Sequence, residues 1–263
     1  MAKLRLPGSR PQPEPAEIEA VSEDGHGAQM SILEHIDELR KRLTKGALSL
    51  VVGTVIGLFL ATPVLEYLIQ PYGQRLQIIN PTGSVVAYFR VALMIGAILT
   101  IPLTTYQLLM FIVPGLTRKE KRILLSSLPA ITGLFIIGVA FAWFILVPPA
   151  LDFLANFQNE SFIVEWVADE YLGFVTALLF WMGVAFETPL VFFVLALIGV
   201  VNAGTLLKNW RVAIVGAAVA AAFITPTVDP VNMMLVMGPL MALYALSIVL
   251  VVIGRRISKV DTR

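Results

Sequence analysis

The chain has no cysteine and only two histidines, His26 and His35. Disulfide staples, thiol chemistry and Cys-ligated metal sites are therefore excluded, and a haem or His-rich metal centre lacks ligands. Charge is scarce as well: 14% of the 263 residues are charged, against roughly 25% in ordinary soluble domains. No nucleophile–base pair, phosphate-cradling glycine loop or metal-ligand cluster stands out, so the sequence offers no cofactor site and no enzyme active site. What remains is apolar. Hydrophobic residues make up 57% of the chain and its mean hydropathy is +0.83, which predicts an all-α, polytopic integral membrane protein.

Residues 1–30 contain four prolines and five carboxylates with almost no apolar clustering. They cannot bury a core, contain no signal-peptide h-region, and read as a disordered tail. At Ser31 the pattern changes. Ser31 and Glu34 have capping-box spacing, and Ile32, Leu33, Ile36, Leu39 and Leu43 recur at helical spacing behind them. An amphipathic helix of this kind can lie in the headgroup plane before the chain turns into the bilayer.

Six apolar runs follow: 46–65, 91–113, 124–147, 171–201, 212–224 and 231–253. Six transmembrane helices are expected over a membrane domain of residues 31–256, followed by a short tail at 257–263. The fourth run exceeds what a core of about 30 Å requires, and Pro189 gives it a reason to bend. The fifth is too short, rising only about 20 Å at about 1.5 Å per residue. The bilayer is expected to thin there unless neighbours bury its ends.

Lys and Arg set the orientation. Arg40, Lys41, Arg42 and Lys45 precede the first run; Arg118, Lys119, Lys121 and Arg122 separate the second from the third. Lys208 and Arg211 precede the fifth, and Arg255, Arg256, Lys259 and Arg263 follow the sixth. The opposite side has only Arg75 and Arg90, and its 148–170 loop holds Asp152, Glu160, Glu165, Asp169 and Glu170 without a cation. Both termini are thus expected to be cytoplasmic.

Three carboxylates invite a functional reading, each beside a structural one. Glu38 either pairs with Arg42 one turn on or anchors a ligand. Glu120 lies in the sequence FIVPGLTRKEKR, residues 111–122. It either closes a capping box on Thr117 or, with an oxygen to spare, accepts a guanidinium. Glu38 and Glu120 fall on the same side of the membrane, an arrangement suited to a ligand with two adjacent arginines, whose forked donors match carboxylates better than lysine does. Glu187, inside the fourth run, is costly at that depth by about 2.5 kcal/mol or more. It is either a bonded structural acid or a site for a polar group on another transmembrane helix. Asp229 reads as a helix cap. Gly53, Gly57, Gly96 and Gly138 read as close helix contacts.

Taken together, SILEHIDELRKRL at 31–43, YQLLMFIVPGLTRKEKRIL at 106–124, FILVPPALDFLANF at 144–157, GVAFETPL at 183–190 and ITPTVDP at 224–230 resemble the TatC family, the core of the twin-arginine protein translocase. The resemblance implies a cupped hand of six helices that binds the paired arginines of signal peptides on folded cargo and organises export driven by the proton-motive force. It further implies a prokaryotic-type cytoplasmic membrane, self-association in a receptor complex, and the single-span subunits TatA and TatB as partners. On this resemblance Glu38 and Glu120 match the signal-binding acids, while Phe111, Pro114, Gly115 and Leu116 match the loop that shapes the site. His35 and Arg40 match polar positions of the amino-terminal motif, Glu187 the intramembrane acid that meets partner helices, and Pro71 and Asp229 positions in the external loops. Two departures stand out: the stretch before Ser31 is longer than the family's usual start, and Ala245 stands where many members carry a Glu. A proton-coupled small-solute transporter using Glu187 is the alternative from the residues alone; the absence of an internal repeat weighs against it.

Overall fold

The computed structural model describes residues 32–72, 75–112, 121–122, 125–126, 128–158, 160, 165–197, 199–225 and 229–260. The chain divides into two compact units, Met1–Arg40 and Lys41–Arg263. The described residues are almost wholly helical: α1 (Ile32–Ile69), α2 (Gly83–Ile112), α3 (Leu128–Phe141), a π-helical segment (Ala142–Leu146), α4 (Val147–Asn156), α5 (Ala168–Leu197), α6 (Ala203–Lys208), α7 (Trp210–Ile224) and α8 (Pro230–Val260). Among them the only β-pairing is a single parallel bridge, Gln77 to Val167.

Five stretches are long and apolar enough to cross a membrane: Ile36–Ile69, Gly83–Leu108, Pro129–Asn156, Ala168–Leu197 and Pro230–Arg256. The apolar helix α7 has 15 residues, about 22 Å at about 1.5 Å each, and so has the shortness read from the fifth run. No break separates the amphipathic 31–43 segment from the first span. Only Thr44 and Lys45 lie between them, neither of them a proline, so α1 carries residues 32–43 and the first span as one helix.

The third span also differs from expectation. The third apolar run ends at Val147 and residues 148–170 are expected as a loop; instead the helix continues to Asn156. The π-helical turn at Ala142–Leu146 lies just before Pro148 and Pro149. By changing the hydrogen-bond register there, it lets two rings without N–H groups enter the first turn of α4.

α5 is the hub. It packs chiefly against α8, α3 and α2, which is why its sequence is apolar on every side. Tyr171, Val175, Leu178 and Met182 are fully buried along one row of it, meeting a core that includes Val91 and Ala92 of α2, Leu146 of the π segment and Val147 of α4. By contrast Leu48, Val51, Val55 and Phe59 of α1 are exposed, an outward face suited to hydrocarbon.

Small residues set the crossings. A Cβ added at Gly53 would stand 2.7 Å from the Gly96 carbonyl oxygen, one at Gly57 would overlap the Ala92 carbonyl oxygen, and one at Gly96 would lie 2.5 Å from the Thr54 amide nitrogen. These contacts bring α1 and α2 together at backbone distance, as the glycines predicted. Gly138 does the same for α3 and α5, where a Cβ would lie 2.8 Å from the Met182 carbonyl oxygen.

At one end of the bundle the 70–82 and 157–167 connections are stitched together. Gln77 donates its amide to the Trp166 carbonyl (2.9 Å) and accepts from the Ala168 amide (2.8 Å), and its side chain donates to Glu165 (2.6 Å). Two hydroxyls reinforce this end: Tyr171 donates to the Leu68 carbonyl at 2.8 Å and Tyr88 to the Leu58 carbonyl at 2.5 Å.

Candidate functional site

The residues singled out in the sequence fall into three groups. In the first unit, His35, Glu38 and Arg40 lie on α1, where Glu38 is half-buried and Arg40 exposed. Within this unit Glu38 and Arg40 are two residues apart and so fall on different faces of the helix. Ser31 lies outside the described residues; α1 begins at the next residue, Ile32.

The second group is the 111–122 stretch. Phe111 is a half-buried residue at the end of α2, and Lys121 and Arg122 are helical and exposed. Pro114, Gly115, Leu116 and Glu120 lie outside the described residues, as does the Thr117 capping box.

The third group is inside and beyond the spans. Glu187 is half-buried in the second half of α5. The Thr105 hydroxyl of α2 reaches it across the helix interface, 3.3 Å from Oε1 and 3.4 Å from Oε2. These are long, shared contacts, so the hydroxyl satisfies the carboxyl weakly and leaves its oxygens capacity for another donor. Pro102 lies three residues before Thr105 and Pro189 two residues after Glu187, and each removes one helical donor. The polar contact therefore sits between two weakened turns. Nothing in the sequence marked Thr105 as Glu187's neighbour; the two are 82 residues apart.

Pro71 is exposed in a 3₁₀ turn, Gln70–Tyr72, that follows α1. Asp229 is the cap its position suggested. Its Oδ1 accepts from the Asn232 amide at 2.7 Å and its Oδ2 from the Asn232 side-chain amide at 2.9 Å, with Pro230 opening α8. This satisfies a first-turn donor and places a negative charge at the positive end of the helix. Residues 226–228, just before it, lie outside the described residues.

Two cations credited only with setting topology have specific partners. Arg90 Nη1 donates to the Asp169 carbonyl and stands 2.9 Å from Asp169 Oδ1, so one of the two cations expected on that side is paired with one of the five acids of the 148–170 stretch. Arg255 donates from Nε to the Val201 carbonyl (2.9 Å) and from Nη2 to the Gly199 carbonyl (2.8 Å). It thereby ties the end of α8 to the turn after α5, where Gly199 takes a positive φ of 85°. Neither pair has a signal in the sequence: Arg90 and Asp169 are 79 residues apart, and Arg255 is bound by backbone carbonyls.

Long apolar helices around a central helix that bears a weakly satisfied carboxyl define a multi-pass α-helical membrane protein. The comparisons narrow that class. A family model for "Sec-independent protein translocase protein (TatC)" matches residues 34–239. The Sec-independent protein translocase protein TatC of Synechocystis sp. is 34% identical over 217 residues, covering 82% of this chain and 85% of that protein. A tatC-like protein, ycf43, of Gracilaria tenuistipitata var. liui is 35% identical over 223 residues, covering 84% and 94%. A crystal structure titled as the twin arginine translocase receptor TatC superposes with a TM-score of 0.76 at 33% identity, covering 84% of this chain and 99% of that one. The chain belongs to the TatC family and is a component of a Sec-independent protein translocase.

Proposed function

We propose that the chain is the signal-peptide receptor of its translocase, taking the paired arginines of folded precursors on Glu38 and Glu120. The observation that carries this is the likeness, over nearly the whole of that chain, to a solved structure titled as the twin-arginine translocase receptor. In this reading the chain has six transmembrane helices in a cupped arrangement, with α7 as the short fifth. Both termini are in the cytoplasm, and the host is a prokaryotic-type cytoplasmic membrane. His35, Arg40, Phe111, Pro114, Gly115 and Leu116 shape the peptide site, while Pro71 and Asp229 hold the opposite loops. TatA and TatB helices dock at Glu187, whose long contacts with Thr105 leave room for a second donor, and the chain self-associates in the receptor complex.

The physics favours arginine. Each carboxylate can take a guanidinium through two parallel bonds, and charge-assisted bonds are about twice as strong as neutral ones. Lysine supplies only a point charge at each position. The test is the affinity of a twin-arginine signal peptide for Glu38→Gln, Glu120→Gln and the double variant in lipid nanodiscs. A loss of at least about tenfold per substitution is expected from one charge-assisted interaction; undiminished affinity in the double variant would refute the reading. The solute-transporter alternative predicts instead that vesicles containing this chain alone take up solute with no signal peptide present.

A further inference from the structure

A groove of about 840 Å³ lies along α2 and α5, within the range of about 300–1,000 Å³ typical of small-molecule sites. Its walls are apolar, with Leu93, Met94 and Ala97 from α2 and Phe174, Ala177 and Phe180 from α5. One end is charged, with Arg90, Asp169 and Glu170 at the lining. Small residues create the hollow: Ala97 and Ala177 face it, and Gly173 lies beneath the Arg90 guanidinium, where a Cβ would meet Nη1 at 2.5 Å.

The Arg90 guanidinium is held by one edge only. Nη1 serves the carbonyl and carboxylate of Asp169, while Nε and Nη2 bond to no described residue. A guanidinium fixed in this way offers the remaining donors of its fork to a tetrahedral anion. Glu170, one residue beyond Asp169, is exposed and bonds to no described residue. The charged end thus presents one cation to a phosphate and carboxylates to a donor of positive charge, directly above an apolar trough.

We propose that this groove is a binding site for one phospholipid whose headgroup carries a phosphate and a primary ammonium. The phosphate sits on Arg90, the ammonium on Glu170 and Asp169, and an acyl chain lies between Met94 and Phe180. The balance of charge selects the occupant. A purely anionic headgroup would face two carboxylates for one guanidinium, and a quaternary ammonium has no N–H to give Glu170. An apolar helix from another protein would supply neither charge. This inference does not depend on the peptide site, since none of these residues belongs to it. The groove does share the α2–α5 seam with Thr105 and Glu187, two helical turns farther along, so a lipid held here would border the contact assigned to partner helices.

The experiment is native mass spectrometry of the full chain, delipidated in detergent and titrated with palmitoyl-oleoyl phosphatidylethanolamine, phosphatidylcholine or phosphatidylglycerol. One phosphatidylethanolamine should be retained with an affinity about tenfold above the other two, the value of one charge-assisted bond. Glu170→Gln, an exposed substitution that leaves the packing alone, should bring it down to the phosphatidylcholine level. Ala97→Phe with Ala177→Phe, checked for fold by circular dichroism, should remove the retained lipid. Equal retention of all three lipids, a preference for phosphatidylglycerol, or an unchanged preference in Glu170→Gln overturns the proposal; so does full retention in the folded, filled groove.

Discussion

Replacing single glycines by alanine should separate two environments within one membrane bundle. At Gly96 the new methyl would lie 2.5 Å from the Thr54 amide nitrogen and 2.8 Å from the Gly53 carbonyl carbon, where ordinary contact begins at 3.4 Å. The obstacle is backbone and cannot rotate aside, so α1 and α2 must part by about 1 Å. A gap of that size forfeits a quarter to a half of each dispersion well it opens, and overpacking of this kind typically costs about 1–3 kcal/mol. Between helices in lipid there is little hydrophobic driving force to offset it. Gly57→Ala should be at least as costly, because its Cβ would run into the Ala92 carbonyl. Gly133 and Gly216 have nothing within 4 Å of an added Cβ, so the same substitution should be neutral or stabilise by up to about 1 kcal/mol through helix propensity. Thermal unfolding in detergent, read from the four tryptophans, measures the series. The Gly57→Ala/Gly96→Ala double should cost less than the sum, since both methyls press on one interface. If Gly96→Ala and Gly133→Ala shift the midpoint alike, the crossing argument fails.

Two further outcomes rest on side chains that hold helix ends. Asp229→Ala should destabilise the chain by about 1 kcal/mol and speed amide exchange at residues 231–233, while Asp229→Asn, which keeps a capping oxygen, should lose only a fraction of that; equal exchange in the two would contradict the cap. Arg255→Ala should expose the amides of residues 199–203 to exchange, and Arg255→Lys should fail to restore them, because one ammonium cannot reach two carbonyls with a fork's geometry. Rescue by lysine would show that charge alone matters there.

Most of the helices were legible because their physics is local. An apolar run of membrane length predicts a span whatever it packs against, and α1, α2, α5 and α8 fall on four such runs, although α1 starts already at Ile32, α2 at Gly83, and α5 stops at Leu197. α7 is as short as its run. Asp229 followed by proline reads as a cap, and Gly53, Gly57 and Gly96 mark a crossing. The errors are equally local in origin. Hydropathy ended the third span at Val147, yet the helix carries on through Pro148 and Pro149, and only a π turn five residues long before them shows how it accommodates both.

The membrane class, the helical content, the positive-inside charge pattern and the family motifs at 31–43 and 106–124 were all fixed by the order of residues, because burial length and local capping need no knowledge of neighbours. Tertiary structure alone decided that Thr105 meets Glu187, that Arg90 takes Asp169 across 79 residues, and that a charged-ended groove opens between α2 and α5. Those depend on which faces of distant helices come together. That is set by summed packing around α5 rather than by any short stretch of sequence.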